Sequence, residues 1–136
     1  SFILLSFYYP KSGDRQRETA YIYLASGFFN DTVSLEINKF LVFKDGVINS
    51  FKEHNDLTDI YIKITRDSLF SYKRNLIVLK IFTKTDNKSI RILITINNKP
   101  YSYTMHLKQG RYLFISKHSY FNNVYFNQHK KPVSVY

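Results

Sequence analysis

Apolar and polar positions alternate with period two over most of this chain. Ile22 and Leu24 are offset from Tyr21 and Tyr23, Val33, Leu35 and Ile37 from Ser34 and Glu36, and Ile60, Ile62 and Ile64 from Tyr61, Lys63 and Thr65. The pattern returns in Ile90, Ile92, Ile94 and Ile96 against Arg91, Leu93 and Thr95, and in Tyr101, Tyr103, Met105 and Leu107 against Ser102, Thr104 and His106. Successive side chains of a strand point to opposite faces, so each run predicts a strand with one face on a core. The many β-branched and aromatic residues agree, because they suit a pleated, half-buried surface better than a helix.

Turn chemistry falls between the runs. Asp45-Gly46 separates Phe40-Leu41-Val42-Phe43 from Val47-Ile48 and predicts a two-residue hairpin, since a type I′ turn needs left-handed backbone at both central positions. Weaker breaks occur at 10–13, Ser26-Gly27, Asn30-Asp31, 84–88 and 97–100. Breaks about every 8 to 12 residues predict nine or ten short strands, the pattern of a sandwich or barrel. Two stretches also fit a helical turn: Val47, Ile48 and Phe51, and residues 67–73. The opening run from Phe2 to Tyr9 is apolar and is stopped by Pro10. With no basic region before it and no small-residue cleavage site, it reads as a buried strand rather than a signal peptide.

The expected fold is all-β: an antiparallel Greek-key sandwich or jelly roll with little or no helix. One domain is expected over residues 1–136, with 127–136 as a basic C-terminal arm ending in a short edge strand, Val133 to Tyr136. A chain of 136 residues buries roughly two-thirds of its unfolded surface, so neither disulfide nor metal is required for stability. The absence of cysteine excludes a disulfide framework and a thiolate zinc site. No run approaches the roughly eighteen apolar residues of a membrane span.

The segment Leu107-Lys108-Gln109-Gly110-Arg111-Tyr112 has an L-x-x-G-x-Y spacing that resembles the tyrosine corner of Greek-key sandwiches. The resemblance implies a sharp crossover at Gly110 that sends the strands on either side into opposite sheets. It also implies that the Tyr112 hydroxyl bonds back to upstream backbone. Gly110 to Ile115 is similar in residue order to an RNA-recognition-motif strand, but that fold needs two helices and the sequence offers none. An oligonucleotide-binding barrel is all-β, yet its five or so strands would leave half of these runs unassigned.

Charge changes the picture most. Residues 1–68 carry eight Lys/Arg against nine Asp/Glu, a net of −1, whereas residues 69–136 carry twelve against one, a net of +11. After Asp86 there is no further acidic side chain. Four Gly, two Ala, no Trp and abundant Ile, Asn, Lys, Tyr and Phe look like the imprint of AT-rich codon usage, which raises Lys. Such a bias does not remove acids from one half, because Asp codons lean the same way as Asn codons. The asymmetry therefore points to an anionic partner: nucleic acid, acidic glycan or anionic membrane surface.

Catalytic chemistry has little material. No nucleophile elbow, phosphate loop, dinucleotide fingerprint or zinc-protease motif is present. Glu53, His54, Asn55, Asp56 and Asp59 are the one clustered titratable set and read as a solvated loop rather than a metal site. His106, His118 and His129 have no acidic neighbour in sequence and read as surface or strand histidines rather than general bases. The chain is thus expected not to be an enzyme and to need no metal or cofactor.

Candidate polyanion-binding residues are Lys73, Arg74, Lys80, Lys84, Lys88, Arg91, Lys99, Lys108, Arg111, Lys117, Lys130 and Lys131. Tyr101, Tyr103 and Tyr112 are candidates for stacking on bases or sugar rings, with core packing as the competing role. In a sandwich the loops gather at two ends, so these cations can converge. The expected function is non-enzymatic binding of RNA or DNA through the basic half, within a nucleoprotein assembly. The alternatives are a module for acidic glycans and a structural β domain of a viral or other particle.

Overall fold

The computed structural model describes residues 20–51, 57–84, 88–118 and 123–131. Ten strands run in chain order: β1 (Ala20–Leu24), β2 (Asp31–Ile37), β3 (Phe40–Ile48), β4 (Ile60–Ile64), β5 (Ser68–Lys73), β6 (Leu76–Phe82), β7 (Ser89–Ile96), β8 (Lys99–His106), β9 (Tyr112–Lys117) and β10 (Val124–His129). They form a six-stranded sheet, β10-β9-β1-β4-β5-β6, and a four-stranded sheet, β3-β2-β7-β8. The all-β sandwich read from the alternation is borne out. One pairing departs from the antiparallel rule: β1 and β9 run parallel, with Tyr21 beside Tyr112 and Leu24 beside Ile115.

Among the described residues there is no α-helix, only a 3₁₀ turn at Leu107–Gln109. Both stretches that also fitted a helical turn are extended instead. Val47 and Ile48 close β3, and Ser68–Lys73 is β5. The opening run and residues 133–136 lie outside the described residues. Asn127 to His129, expected in a basic arm, belong to β10 instead.

The core lies between the sheets. Ile22, Leu24, Ile62, Ile64, Leu113 and Ile115 meet Val33, Leu35, Ile37, Met105 and the four isoleucines of β7. The other face of the six-stranded sheet is buried as well, by a second cluster made of Tyr21, Tyr23, Tyr61, Tyr112 and Phe114 with Ala25 and Leu57. Its rings pair in register across the strands: Tyr112 stacks on Tyr21 at 5.5 Å and Tyr61 on Tyr72 at 4.6 Å, while Phe114 packs tilted against Tyr23 at 4.8 Å. Burial, reinforced by the neighbouring Tyr72 phenol, pushes the Tyr61 pKa up to about 12, which keeps the cluster neutral.

Asp45-Gly46 is not a hairpin. Lys44 and Asp45 together oppose the single residue Ser34, because Gly46 pairs with Val33 and Phe43 with Leu35. The left-handed Asp45 backbone (φ 52°) makes a bulge inside β3, and its N–H donates to Ser34 Oγ at 2.9 Å. The tight turns fall at Asn38-Lys39, Arg74-Asn75 and Asn97-Asn98, where both residues have positive φ as a type I′ turn requires. The crossover implied by the L-x-x-G-x-Y spacing is present, since β8 and β9 belong to different sheets.

Asp31 ties the end that carries the β7–β8 turn. Its buried carboxylate accepts hydrogen bonds from Phe29 N (2.8 Å), Asn97 Nδ2 (2.7 Å) and Lys117 Nζ (2.9 Å). Burial alone raises its pKa, but these donors outweigh it and the carboxyl titrates below its ordinary value. A depressed folded pKa contributes stability that is present above the unfolded value of about 4 and is lost as pH falls through the folded one. Asp31→Asn is therefore expected to cost about 2 kcal/mol at pH 7. In thermal melts the gap from wild type should close below about pH 4; a gap that stays constant down to pH 2 would show that the charge contributes nothing.

Candidate functional site

Strand direction decides where the basic residues go. β7 begins, β8 ends, β9 begins and β10 ends at the same end of the sandwich as the β2–β3 turn, as the registers Ile37↔Ile92, Ser89↔His106 and His129↔Tyr112 require. β6 ends there too, as the parallel β1–β9 pairing and the registers Ala20↔Ile64, Ile64↔Leu69 and Ser68↔Phe82 require. Seven of the twelve candidate cations sit on or beside these strand ends: Lys84, Lys88, Arg91, Lys108, Arg111, Lys130 and Lys131. Lys39 and Arg66, from the first half, join them in the β2–β3 and β4–β5 turns. The described carboxylates on elements that meet at this end are Asp67, in the β4–β5 turn, and Glu36, one residue inside the end of β2.

Backbone contacts hold these segments together. Leu107 N–H donates to Lys88 O at 2.9 Å, which fixes the 3₁₀ turn carrying Lys108 beside the Lys88 segment. Asn38 N–H donates to Arg91 O at 2.8 Å, and Arg91 N–H donates to Asn38 Oδ1 at 2.9 Å, so the Asn38-Lys39 turn is pinned to Arg91. Gly110 lies so close to the end of β10 that a Cβ there would be 2.2 Å from His129 O and 2.9 Å from Lys130 N. Lys130 is thereby brought against the Lys108-to-Arg111 segment. Gln128 clasps the same corner: its Nε2 donates to His106 O (2.7 Å) and Gly110 O (2.8 Å), while its Oε1 accepts from Tyr103 OH (2.7 Å).

Electrostatically, this end is rich in cations. Lys84, Lys88, Arg91, Lys108, Lys130 and Lys131 are exposed and Arg111 is half-buried, with its Nη1 enclosed and unbonded. Exposed His106 and His129 lie among them, and neither has a carboxylate within ion-pair distance among the described residues. Donors in this number can meet the oxygens of an anionic polymer, which supplies the countercharge the chain lacks.

The other five candidates are elsewhere. Lys117 and Arg74 are answered by first-half carboxylates, Lys117 by Asp31 at 2.9 Å and Arg74 by Asp59 at 3.2 Å. Both belong to the opposite end, as do Lys73 and Lys99. Lys80 sits on β6, its Nζ 4.6 Å from the Phe82 ring centroid.

Nor do the stacking candidates form an open platform. Tyr112 is 5% exposed with Tyr21 against its ring, so it packs rather than receives a ligand. Tyr103 is half-buried against the core and stacked on Phe126 at 4.8 Å. Tyr101 is half-buried likewise, with Lys99 Nζ 5.6 Å from its ring centroid. Strands this rich in alternating aromatics use them to fill both faces of a sheet.

Glu53 to Asp56 lie outside the described residues, while Asp59 is buried and paired with Arg74. Among the described residues no three His, Asp or Glu come together as metal ligands, and no helix is long and apolar enough to cross a membrane. Sequence reasoning missed Gln128 and the Asn38 clamp on Arg91, since both act through contacts distant along the chain. Neither protein-family models nor curated proteins nor solved structures match the chain.

Proposed function

We propose that the protein is a non-enzymatic binding domain that holds RNA or DNA by its phosphates, at the end formed by Lys84, Lys88, Arg91, Lys108, Arg111, Lys130 and Lys131. The observation that carries this reading is their convergence from β6 to β10 onto one end. Lys117 and Arg74, at the opposite end, are engaged by Asp31 and Asp59 and are left out of the site. Recognition is of charge rather than sequence, because the tyrosines that could have read bases are packed.

Binding is expected to be strongly salt-dependent. Contacts to five or six phosphates give a slope of log K against log salt of about −5 for duplex and about −4 for single strands. Fluorescence anisotropy with a labelled generic oligonucleotide over a salt series measures it. A slope near zero, or tighter binding to heparin than to nucleic acid at the same salt, would overturn the proposal, the latter in favour of an acidic-glycan ligand.

A further inference from the structure

The two long sides of the sandwich differ. One is closed by Tyr103 and Gln128, which join β8 to β10. On the other, edge strands β3 and β6 stand apart around a cleft of about 300 Å³, whose lining includes Val42, Val47, Ile48, Ile60, Val78 and Leu79. Large apolar side chains face solvent along it. Leu76, Ile77, Val78 and Phe82 of β6 are 69%, 55%, 60% and 77% exposed, and Val47 across the cleft is 62% exposed. Single exposed apolar residues need no explanation, but a run of this size along one edge marks an interaction surface.

Charge and backbone narrow the occupant. From Ser68 to Lys84 there is no acidic residue, and Lys73, Arg74, Lys80 and Lys84 are interleaved with the apolar run. Lys80 Nζ lies over both Phe82 (4.6 Å) and Phe70 (5.4 Å), so ammonium and aromatic rings are presented side by side. A partner strand would need a continuous ladder. β6 carries an extra residue at Val78, opposite the Ser71–Tyr72 step, and β3 is irregular at two places, so both free edges are interrupted. A second copy of this chain would bring the same uncompensated lysines together. Apolar side chains flanked by ammonium groups do fit the boundary of an anionic bilayer, where the former enter the acyl region and the latter reach lipid phosphates.

We propose that the β3–β6 side docks peripherally on an anionic lipid bilayer, with Leu76, Ile77, Val78 and Phe82 at the acyl boundary and Lys73 and Lys80 on phosphates. This surface adjoins the nucleic-acid end at Phe82, but the residues assigned to lipid contact are not among the proposed phosphate contacts there, and the proposal does not depend on that reading. Co-sedimentation of the intact protein with phosphatidylcholine vesicles, with and without phosphatidylserine, tests it. Binding is expected only with phosphatidylserine. Ile77→Asp with Val78→Asp is expected to weaken it at least tenfold while leaving oligonucleotide affinity unchanged, since exposed changes of this kind usually spare the fold. A second variant, Lys73→Glu with Lys80→Glu, is expected to remove the phosphatidylserine preference.

Three results would overturn the proposal. One is no binding to phosphatidylserine vesicles at low salt. Another is binding that survives the aspartate changes but is lost on reversing Lys108, Arg111 and Lys130, which would assign it to the cationic end. The third is a dimer in sedimentation velocity that the aspartate changes dissolve, which would make a second copy the occupant.

Discussion

Replacing Lys108, Arg111 and Lys130 together by glutamate is expected to lower oligonucleotide affinity by about two to three orders of magnitude at low salt. It should also flatten the salt slope by about 3, roughly one unit for each phosphate contact removed. The three residues come from the 3₁₀ turn, the approach to β9 and the end of β10, which Gly110 and Gln128 hold in contact. One polymer backbone can therefore engage all of them. Reversing Lys44, Lys73 and Lys99 makes the same change in net charge away from this end. Strand lengths put Lys73 and Lys99 about 20 Å from this end and Lys44, in the middle of β3, about 13 Å from it, all beyond the Debye length of about 10 Å at 0.1 M salt, so affinity in that control should stay within about threefold of wild type. Equal losses in the two triple variants would mean that net charge, not its location, governs binding.

Gly110→Ala is expected to be the most damaging single substitution at the site, costing about 3 kcal/mol or more. Gly110 has φ 143° and ψ 157°, a region that is nearly glycine-only, and occupying it with a β-carbon costs about 1 to 3 kcal/mol. The added carbon would also stand 2.2 Å from His129 O, a backbone atom that cannot rotate away. Relief requires the end of β10 to move outward, which lengthens the Gln128 bonds to His106 O and Gly110 O and carries Lys130 away from Lys108. Denaturant unfolding should show the lost stability, and oligonucleotide affinity should fall even where the variant remains folded. A melting temperature within a few degrees of wild type would contradict the close approach.

The fold was legible where local rules and tertiary packing agree. The isoleucine periods of β4 and β7 and the aliphatic period of β2 became the inner faces of two sheets, and Gly110 marked a real crossover. Other features required the third dimension. Asp45 adopts the left-handed backbone that its Asp-Gly signal promised, yet the pairing partner Ser34 turns it into a bulge, a distinction set by register rather than by the dipeptide. The hairpins at Asn38-Lys39 and Arg74-Asn75 lack glycine and so carried a weaker signal. Tyr21 and Tyr23 were set opposite the apolar positions of β1, and Tyr112 was a stacking candidate, because tyrosine is ambiguous; with a second cluster burying that face, β1 and β9 are apolar on both sides. At the candidate site, composition revealed the excess of cations but not their grouping, which depends on strand direction. It could not reveal that Asp31 neutralises Lys117 from 86 residues away.

Lysine acetylation with mass-spectrometric readout, with and without a saturating single-stranded oligonucleotide at low salt, tests the location of binding residue by residue. Protection is expected at Lys84, Lys88, Lys108, Lys130 and Lys131, with Lys44, Lys73 and Lys99 remaining as reactive as in the free protein. Protection spread evenly over all eight lysines, or confined to Lys73 and Lys99, would contradict a nucleic-acid site at the cationic end.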